Sequence, residues 1–386
     1  MSNSAFSSAS SSALIRSIGI NSLASGDGVV AALLETDGRD EIRSLGGITL
    51  AYEENIRWRM LEATQNDLPT TEILRLEKEL TELHALAIER LRKQLGDEAA
   101  GATVIGYSGH TIRHIPGEQL TQQIGNPWLL AERVQLPVVA DFRRHDMAVS
   151  GQGAPLVAMF HWALMAKEPR PALMLDVGIV SSVTWLSKQN EIIAGDTGPG
   201  IGLLNEWVQE VAEQPDDLDG HLSTEGRVDE DIVRASLDAP FFQRSLPKAA
   251  DRDDFDHIDV SGLSTEDGAA TLCAVTVEAF FAAAKRLPDL PQRLWITGIG
   301  SRQPVIVGLL AKKFATVRNV AERGLNPDTL EAECYAWLAV RHLRRLPITT
   351  PETTGCQHAD SAGFNTYAPL ETTTQPPPIS RMPIPK

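Results

Sequence analysis

Apolar residues at 14–20 (LIRSIGI) and 29–36 (VVAALLET) flank the polar turn SLASGDG, a pattern that predicts a β-hairpin. SLGGITLAY supplies a third strand. Leucines at three- and four-residue spacing then predict helices in ENIRWRMLEAT and TEILRLEKELTELHALAIERLRKQL. A strand at ATVIGYSG, a short helix at NPWLLAERV and a strand at LPVVADF follow. A helix is next expected from Ala154, with Pro155 in its first turn, where a missing N–H costs nothing. From residue 171 the pattern restarts: PALMLDVG and SSVTWLSKQ form a second hairpin, IIAGDTGPG a strand and GLLNEWVQEVA a helix. Helices are expected near 229–238 and 267–287, then the strand RLWITGIG and the helices PVIVGLLAKKF and TLEAECYAWLAVRHLRR. Two successive units that begin alike predict an α/β chain of duplicated halves facing each other across a cleft.

Composition narrows the picture. A chain of 386 residues is long enough for two domains of ordinary size. The formal charge of -16, from 51 acidic and 35 basic residues, repels polyanions, so neither nucleic acid nor an anionic membrane surface is an expected partner. Cys273, Cys334 and Cys356 lie far apart without a C-x-x-C spacing, which predicts buried thiols in a reducing, cytoplasmic compartment. No run of about 18 apolar residues is expected to span a bilayer. Residues 1–12 are Ser-rich without the basic start and apolar centre of a secretory signal, and are expected to form a floppy tail. Residues 347–386 are rich in Thr and Pro and are expected to be disordered. The two folded units are placed at 13–168 and 169–346, with the last helix able to cross back.

Chemistry concentrates in turns. Five loops place Gly beside Ser, Thr or Asp directly after an apolar strand: SLASGDG, YSGHT, SGQGAP, GDTGPG and TGIGS. Each offers backbone N–H groups uncrowded by a Cβ, as a phosphate oxygen requires. Beside them, DFRRHDMAVSGQGAPL (141–156) combines two arginines and two aspartates with a Gly-Gln-Gly turn, suited to holding a polar ligand.

The series GDG, QIGN (123–126), DFRRHDMAVSGQGAPL, GDTGPG, GIGSRQP and DTLEAECYAWLA resembles the anhydro-N-acetylmuramic acid kinases in order and spacing. These belong to the actin-like, hexokinase-like superfamily, and levoglucosan kinases share the motifs. The resemblance covers about residues 16–345 and implies two actin-like (ribonuclease H-like) domains across a central cleft. It implies ATP and Mg²⁺ as cofactors, a 1,6-anhydro sugar as substrate, and a homodimer. Water would open the anhydro bridge while O6 takes the γ-phosphate. By the resemblance, Asp146 is the base, Arg143 and Arg144 favour its charged form, and Glu331 contacts substrate. Catalysis is thus assigned to Asp146, Arg143 and Glu331. Nucleotide phosphates are assigned to Ser22, Ser25, Asp27, Gly28, Gly178, Gly198, Gly200, Gly298 and Gly300. Sugar is assigned to Asp141, Arg144, Gly151, Gln152, Gly153, Gly109, His110 and Thr111, and the metal to Asp27 and Asp196. Closure of the two halves is expected about a hinge near 166–172.

The chain also departs from the family's pattern. The first loop, S-G-T-S-x-D-G-x-D in the family, here runs from Ser22 to Val30 without its first Gly, its Thr or its last Asp. N-I-G-G-I-A-N has become 176–182, with Asp176 and Ile179 replacing an Asn and a Gly, and GGG-x-x-N has become 298–303. Lost donors at such loops cost about 1.5 to 3 kcal/mol each. Two readings therefore follow: an active kinase with a reshaped nucleotide loop, or a pseudokinase that binds sugar or regulates without turnover.

Overall fold

Alternation of the first apolar runs places Ile15–Ser22 (β1) and Gly28–Thr36 (β2) in an antiparallel hairpin, and Ile42–Ala51 (β3) pairs with β2. The computed structural model describes residues 13–250, 252–359 and 365–367. The first half continues through Glu54–Gln65 (α1), Thr70–Leu95 (α2), Asp97–Ala100 (α3), Ala102–Tyr107 (β4), His110–Ile115 (β5) and Leu120–Ile124 (β6). Pro127–Val134 (α4), Val138–Ala140 (β7), Phe142–Ala148 (α5) and Ala158–Leu164 (α6) complete it. The second half has Ala172–Val177 (β8), Val180–Leu186 (β9), Ile192–Pro199 (β10), Gly202–Ala212 (α7), His221–Glu225 (α8), Glu230–Ser236 (α9) and Pro240–Gln243 (α10). Thr265–Ala284 (α11), Arg293–Thr297 (β11), Pro304–Ala311 (α12), Thr316–Asn319 (β12), Leu330–Leu343 (α13), Pro351–Thr354 (α14) and Asn365–Tyr367 (β13) follow.

The duplication is explicit in the sheets. One runs β13-β7-β4-β1-β2-β3 and the other β10-β9-β8-β11-β12. In each, a three-strand antiparallel meander joins two parallel strands through its first member, β1 or β8. This is the two-lobed actin-like α/β fold. The first sheet packs one face on α1, α2 and α4, the second on α7, α11 and α12. Helix α11 has the length and apolar composition of a membrane span, but 78% of its apolar window is buried inside the second lobe, so it is a core helix.

Helix α13 leaves the second half and lies against β1, β2 and β4 of the first. The approach is backbone to backbone. A Cβ on Gly19 would fall 1.7 Å from the Ala332 carbonyl oxygen, and one on Gly106 1.9 Å from that of Tyr335. Trp337 and neighbouring α13 residues join Leu34 and Val104 of the first sheet and Met174 and Trp295 of the second in one core cluster. The two lobes therefore share packing at the base of the cleft.

Two expectations change. No helix begins at Ala154: α5 already occupies 142–148, an irregular turn follows, and α6 starts at Ala158. Residues 347–359 are not a loose tail, since α14 lies there and contacts β10. The tail expected at 1–12 lies outside the described residues. The three cysteines are buried free thiols.

Gly106→Ala must push α13 off β4 and is expected to cost about 3 kcal/mol, the upper part of the range for overpacking. Gly262→Ala, where nothing lies within 4 Å of the added Cβ, should stay within about 0.5 kcal/mol of the parent. Urea unfolding of both variants provides the comparison.

Candidate active site

Between the lobes lies a cavity of about 510 Å³, in the size range of small-molecule sites. The β1–β2 turn and the start of α13 border it from one side, and the ends of β8, β10 and β11 from the other. Its polar lining includes the carboxyl groups of Asp176, Asp196 and Glu331 with the Arg143 guanidinium, and Asp27, Asp216, Asp328 and Arg302 also border it.

Asp196 is aimed into the cavity by local geometry. Strand β10 pairs with β9 in register up to Asp196 opposite Ser182, then slips so that Gly198 faces Ser181. Such a bulge re-aims the adjoining side chain. The Ala250 N–H donates to Asp196 Oδ2 at 2.9 Å, and the residue is only 7% exposed. Burial pushes its carboxyl up to about 6, against the Ala250 bond and the charge of Arg143, which favour the ionised form. Asp176, at the end of β8, is pushed up to about 7 by burial and by the charges of Glu331 and Asp196. Its Oδ2 lies 4.0 Å from His161 Nε2. Burial drives His161 down to about 3, so that ring is neutral and shares a bond with Thr184 through Nδ1. Glu331, in the first turn of α13, accepts from Asn21 Nδ2 at 2.8 Å; burial raises its pKa while Arg143 and Asn21 oppose the rise. Arg143 is fixed by donating from Nη1 to the Gly153 carbonyl at 2.7 Å.

Of the residues singled out in the sequence, the cavity gathers Arg143, Glu331, Asp196, Ser25, Asp27, Thr111, Gly178 and Gly298. Others lie elsewhere. Asp146 is fully buried and does not border the cavity. Its Oδ1 accepts from Thr349 Oγ1 (2.6 Å) and Thr354 Oγ1 (2.7 Å), and its Oδ2 from the Gly153 N–H (2.8 Å). These three bonds fix the orientation of the carboxylate and leave acceptor capacity on it. Asp141 and Arg144 bind each other, and Asp141 and Gly109 border a smaller pocket that shares Arg143, Leu156 and Tyr335 with the main cavity.

Ser22 is also committed, sharing hydrogen bonds with Tyr52 OH (2.8 Å) and His110 Nδ1 (3.0 Å). Neither Ser22 nor His110 borders the cavity. Gly28, Gly198, Gly200 and Gly300 serve close packing. A Cβ would fall 2.5 Å from Leu50 O, 2.7 Å from Ala279 Cβ, 1.9 Å from Gly178 O and 2.4 Å from Val177 Cγ1, respectively. Gly151, Gln152 and Gly153 stand behind the cleft wall. As a metal ligand Asp27 is compromised, because Arg57 Nη2 donates to its Oδ1 at 2.6 Å. Among the described residues, no three His, Cys, Asp or Glu side chains converge to hold a metal ion.

Sequence reasoning passed over Asn21, His161, Thr297 and Tyr335, all at the cavity. Asn21 and Thr297 carried a usable signal, each being a polar residue at the end of an apolar strand. His161 and Tyr335, on helices, carried none.

The profile of the family described as anhydro-N-acetylmuramic acid kinase matches residues 15–368. The protein of that name from Paramagnetospirillum magneticum is 40% identical over 350 residues, covering 90% of this chain and 98% of its own. Its namesake from Acidiphilium cryptum is 41% identical over 349 residues, covering 88% and 95%. Among solved structures, a ROK family glucokinase from Streptomyces griseus, in complex with glucose and AMPPNP, aligns with a TM-score of 0.42 at 11% identity, over 84% of this chain and 99% of that one. With the profile spanning both lobes and relatives aligned almost end to end, the chain belongs to the anhydro-N-acetylmuramic acid kinase family.

Proposed function

We propose that the chain is an ATP-dependent kinase of a 1,6-anhydro amino sugar, and that Asp146, the second aspartate of the DFR-x-x-D motif, is its general base. The observation that carries the reading is the cavity between the lobes, where Arg143 of the same motif meets Glu331 of α13 and Asp196 of β10. Asp146, oriented by Thr349, Thr354 and the Gly153 N–H, meets the sugar as the lobes close on it. Asp146 takes a proton from water as the water oxygen bonds to C1 of the sugar. The C1–O6 bond breaks, and O6 attacks the γ-phosphorus while the β–γ bridging oxygen leaves with ADP. Arg143 steadies negative charge on O6 and the transferred group. Glu331, oriented by Asn21, accepts from a sugar hydroxyl.

Mg²⁺ implied by the resemblance finds no nest of three ligands among the described residues. A divalent cation would arrive on the nucleotide's phosphates, and no step here runs through it. The implied homodimer belongs to the same proposal, and pairing would cover apolar surface such as Trp58 and Leu61, exposed on α1.

The nucleotide side favours a second reading. Asp176 and Ile179 line the cavity where the family pattern has Asn and Gly. Burying an ionised Asp176 beside phosphates costs affinity, and a pseudokinase would result if the cost were large enough. Calorimetry separates the readings: sugar binding without ATP binding at millimolar nucleotide supports the pseudokinase and sinks the kinase.

Asp146→Asn should lower kcat by about 10³-fold. It also turns a donor toward the two threonine hydroxyls or the Gly153 N–H, at a cost of about 2 to 3 kcal/mol, so turnover is measured per folded molecule with urea unfolding alongside. Full turnover per folded molecule in that variant would reject the base assignment.

A pH profile follows from the shifted Asp176. Ionising Asp176 places charge beside the phosphates, so kcat/KM should fall as pH rises through about 7. Asp176→Asn should abolish the alkaline fall and tighten ATP binding at pH 8 by about tenfold, the effect of roughly 1.4 kcal/mol.

A further inference from the structure

Strand β5 carries His114 to the cavity wall, which it shares with Thr111 and Arg143. The partner strand fixes the ring. His114 Nδ1 lies 3.2 Å from Thr121 Oγ1 on β6, and that hydroxyl already accepts from Gln123 Nε2 at 2.7 Å. Its single hydrogen goes to the Arg113 carbonyl, 3.3 Å away, which can only accept. The ring hydrogen is therefore assigned to Nδ1, donating to Thr121, and the hydroxyl then fills both acceptor positions and its one donor position. Nε2 is left as a bare acceptor.

Among the described residues that acceptor has no partner, although it is enclosed by protein. An unmet buried polar atom costs about 1 to 3 kcal/mol, so one kept at the wall of a ligand cavity points to a partner that arrives with the ligand. Burial and the charge of Arg143 push the ring down to about 3, so at neutral pH it remains an uncharged acceptor. Its position is tied to the motif around the base. A Cβ on Gly153 would fall 3.1 Å from His114 Cε1, the Gly153 carbonyl accepts from Arg143 Nη1 at 2.7 Å, and the Gly153 N–H donates to Asp146 Oδ2 at 2.8 Å. His114, Arg143 and Asp146 thus meet at one glycine.

We propose that His114 is a substrate-contact residue whose Nε2 accepts a hydrogen bond from a hydroxyl of the bound anhydro sugar. The sugar reaches Nε2 as the lobes close and the turn at 150–154 gives way. The inference rests on the reading of this cavity as a sugar site, and not on which carboxylate is the base. A neutral imidazole suits the place because a lysine or arginine would set a second cation beside Arg143, whereas the ring adds an acceptor without charge. It also confers selectivity: a sugar lacking the hydroxyl leaves a buried acceptor unpaired, a loss that polar sites punish more than a change of shape.

The test uses the full chain, calorimetry, and 1,6-anhydro-N-acetylmuramic acid as the probe, whose ring carries one free hydroxyl. His114→Asn keeps an N–H toward Thr121 and removes the Nε2 acceptor; sugar affinity should fall about tenfold while ATP affinity stays within about twofold. His114→Gln returns an amide oxygen to the place of Nε2 and should recover part of the loss. The sugar analogue lacking the hydroxyl should bind the parent about tenfold more weakly and bind His114→Asn no worse than the intact sugar does, because both changes delete the same bond. Nitrogen NMR of the parent should find the ring hydrogen on Nδ1, and adding sugar should shift the Nε2 resonance as a hydrogen bond forms there.

A ring hydrogen found on Nε2, parental sugar affinity in His114→Asn, or additive losses across the variant and the analogue would each overturn the contact. Equal losses of sugar and ATP affinity with earlier urea unfolding, unrelieved in His114→Gln, would overturn it too, as the mark of a merely structural residue. A parent that binds no anhydro sugar defeats the functional reading and this contact together. A parent that binds the sugar without turning over ATP defeats the kinase alone, and the same titrations still decide His114.

Discussion

The buried carboxyl of Asp146 is the contact on which the site's geometry depends. A buried acceptor left unpaired costs about 1 to 3 kcal/mol, and Asp146 escapes that cost by gathering two threonine hydroxyls and one backbone N–H from segments about two hundred residues apart in sequence. The hydroxyls bind 349–354 to the first lobe, and the N–H fixes Gly153. Gly153 then offers its carbonyl to Arg143, a cation that lines the cleft, and its neighbour Gln152 accepts from the Ala249 N–H, next to the residue whose N–H bonds Asp196. One buried group thus fixes the origin of both the cation and the carboxylate that share the cavity.

The cavity is electrostatically unbalanced, and its chemistry follows from that. Asp176, Asp196 and Glu331 are buried together, each with a raised pKa, and Arg143 favours the charged form of Asp196 and Glu331. Mutual repulsion and desolvation act in the same direction on an acid. The outcome is a set of weakened acids, with Asp196 pushed up to about 6, Asp176 to about 7 and Glu331 also raised. The arrangement would be poor at holding a polyanion unless some of those carboxyls were protonated, and that is where the nucleotide loop's Asp176 matters.

The fold was legible because its signals are local. Two hairpins with period-two alternation and polar-glycine turns appear in the sequence at 14–36 and 171–189, and both sheets grow from them. The site was legible only in part. Arg143, Glu331 and Asp196 were found as cleft residues, but the roles of Asp146 and Asp196 were drawn from motif position and not from environment. Asp146 sits on the inward face of the seven-residue helix α5, too short to show a periodicity, and its partners Thr349 and Thr354 lie in a stretch whose Thr and Pro content resembles a tail. The aim of Asp196 depends on a one-residue slip between β9 and β10, which no spacing reveals. Glycines misled in the same way: Gly198, Gly200 and Gly300 read as phosphate cradles, yet their missing Cβ atoms make room for Ala279, Gly178 and Val177.

Ile179 shows why the altered nucleotide loop is more than a lost glycine. Its carbonyl accepts from the N–H groups of Gly200 (2.9 Å) and Gly202 (3.2 Å), and its Cγ2 lies 2.9 Å from where a Cβ on Gly202 would stand. The β-branched side chain therefore packs against the start of α7, and the β8–β9 turn and the helix gain a contact that a glycine could not make. That contact stiffens the turn while adding bulk at the cavity edge. The scaffold running from Asp146 to Asp196 is independent of that edge, since none of its hydrogen bonds involves 177–180. Substitution on the nucleotide side can thus change how phosphates are met without moving the base, so the bond-opening half of the reaction and the phosphate-accepting half are separable in this fold.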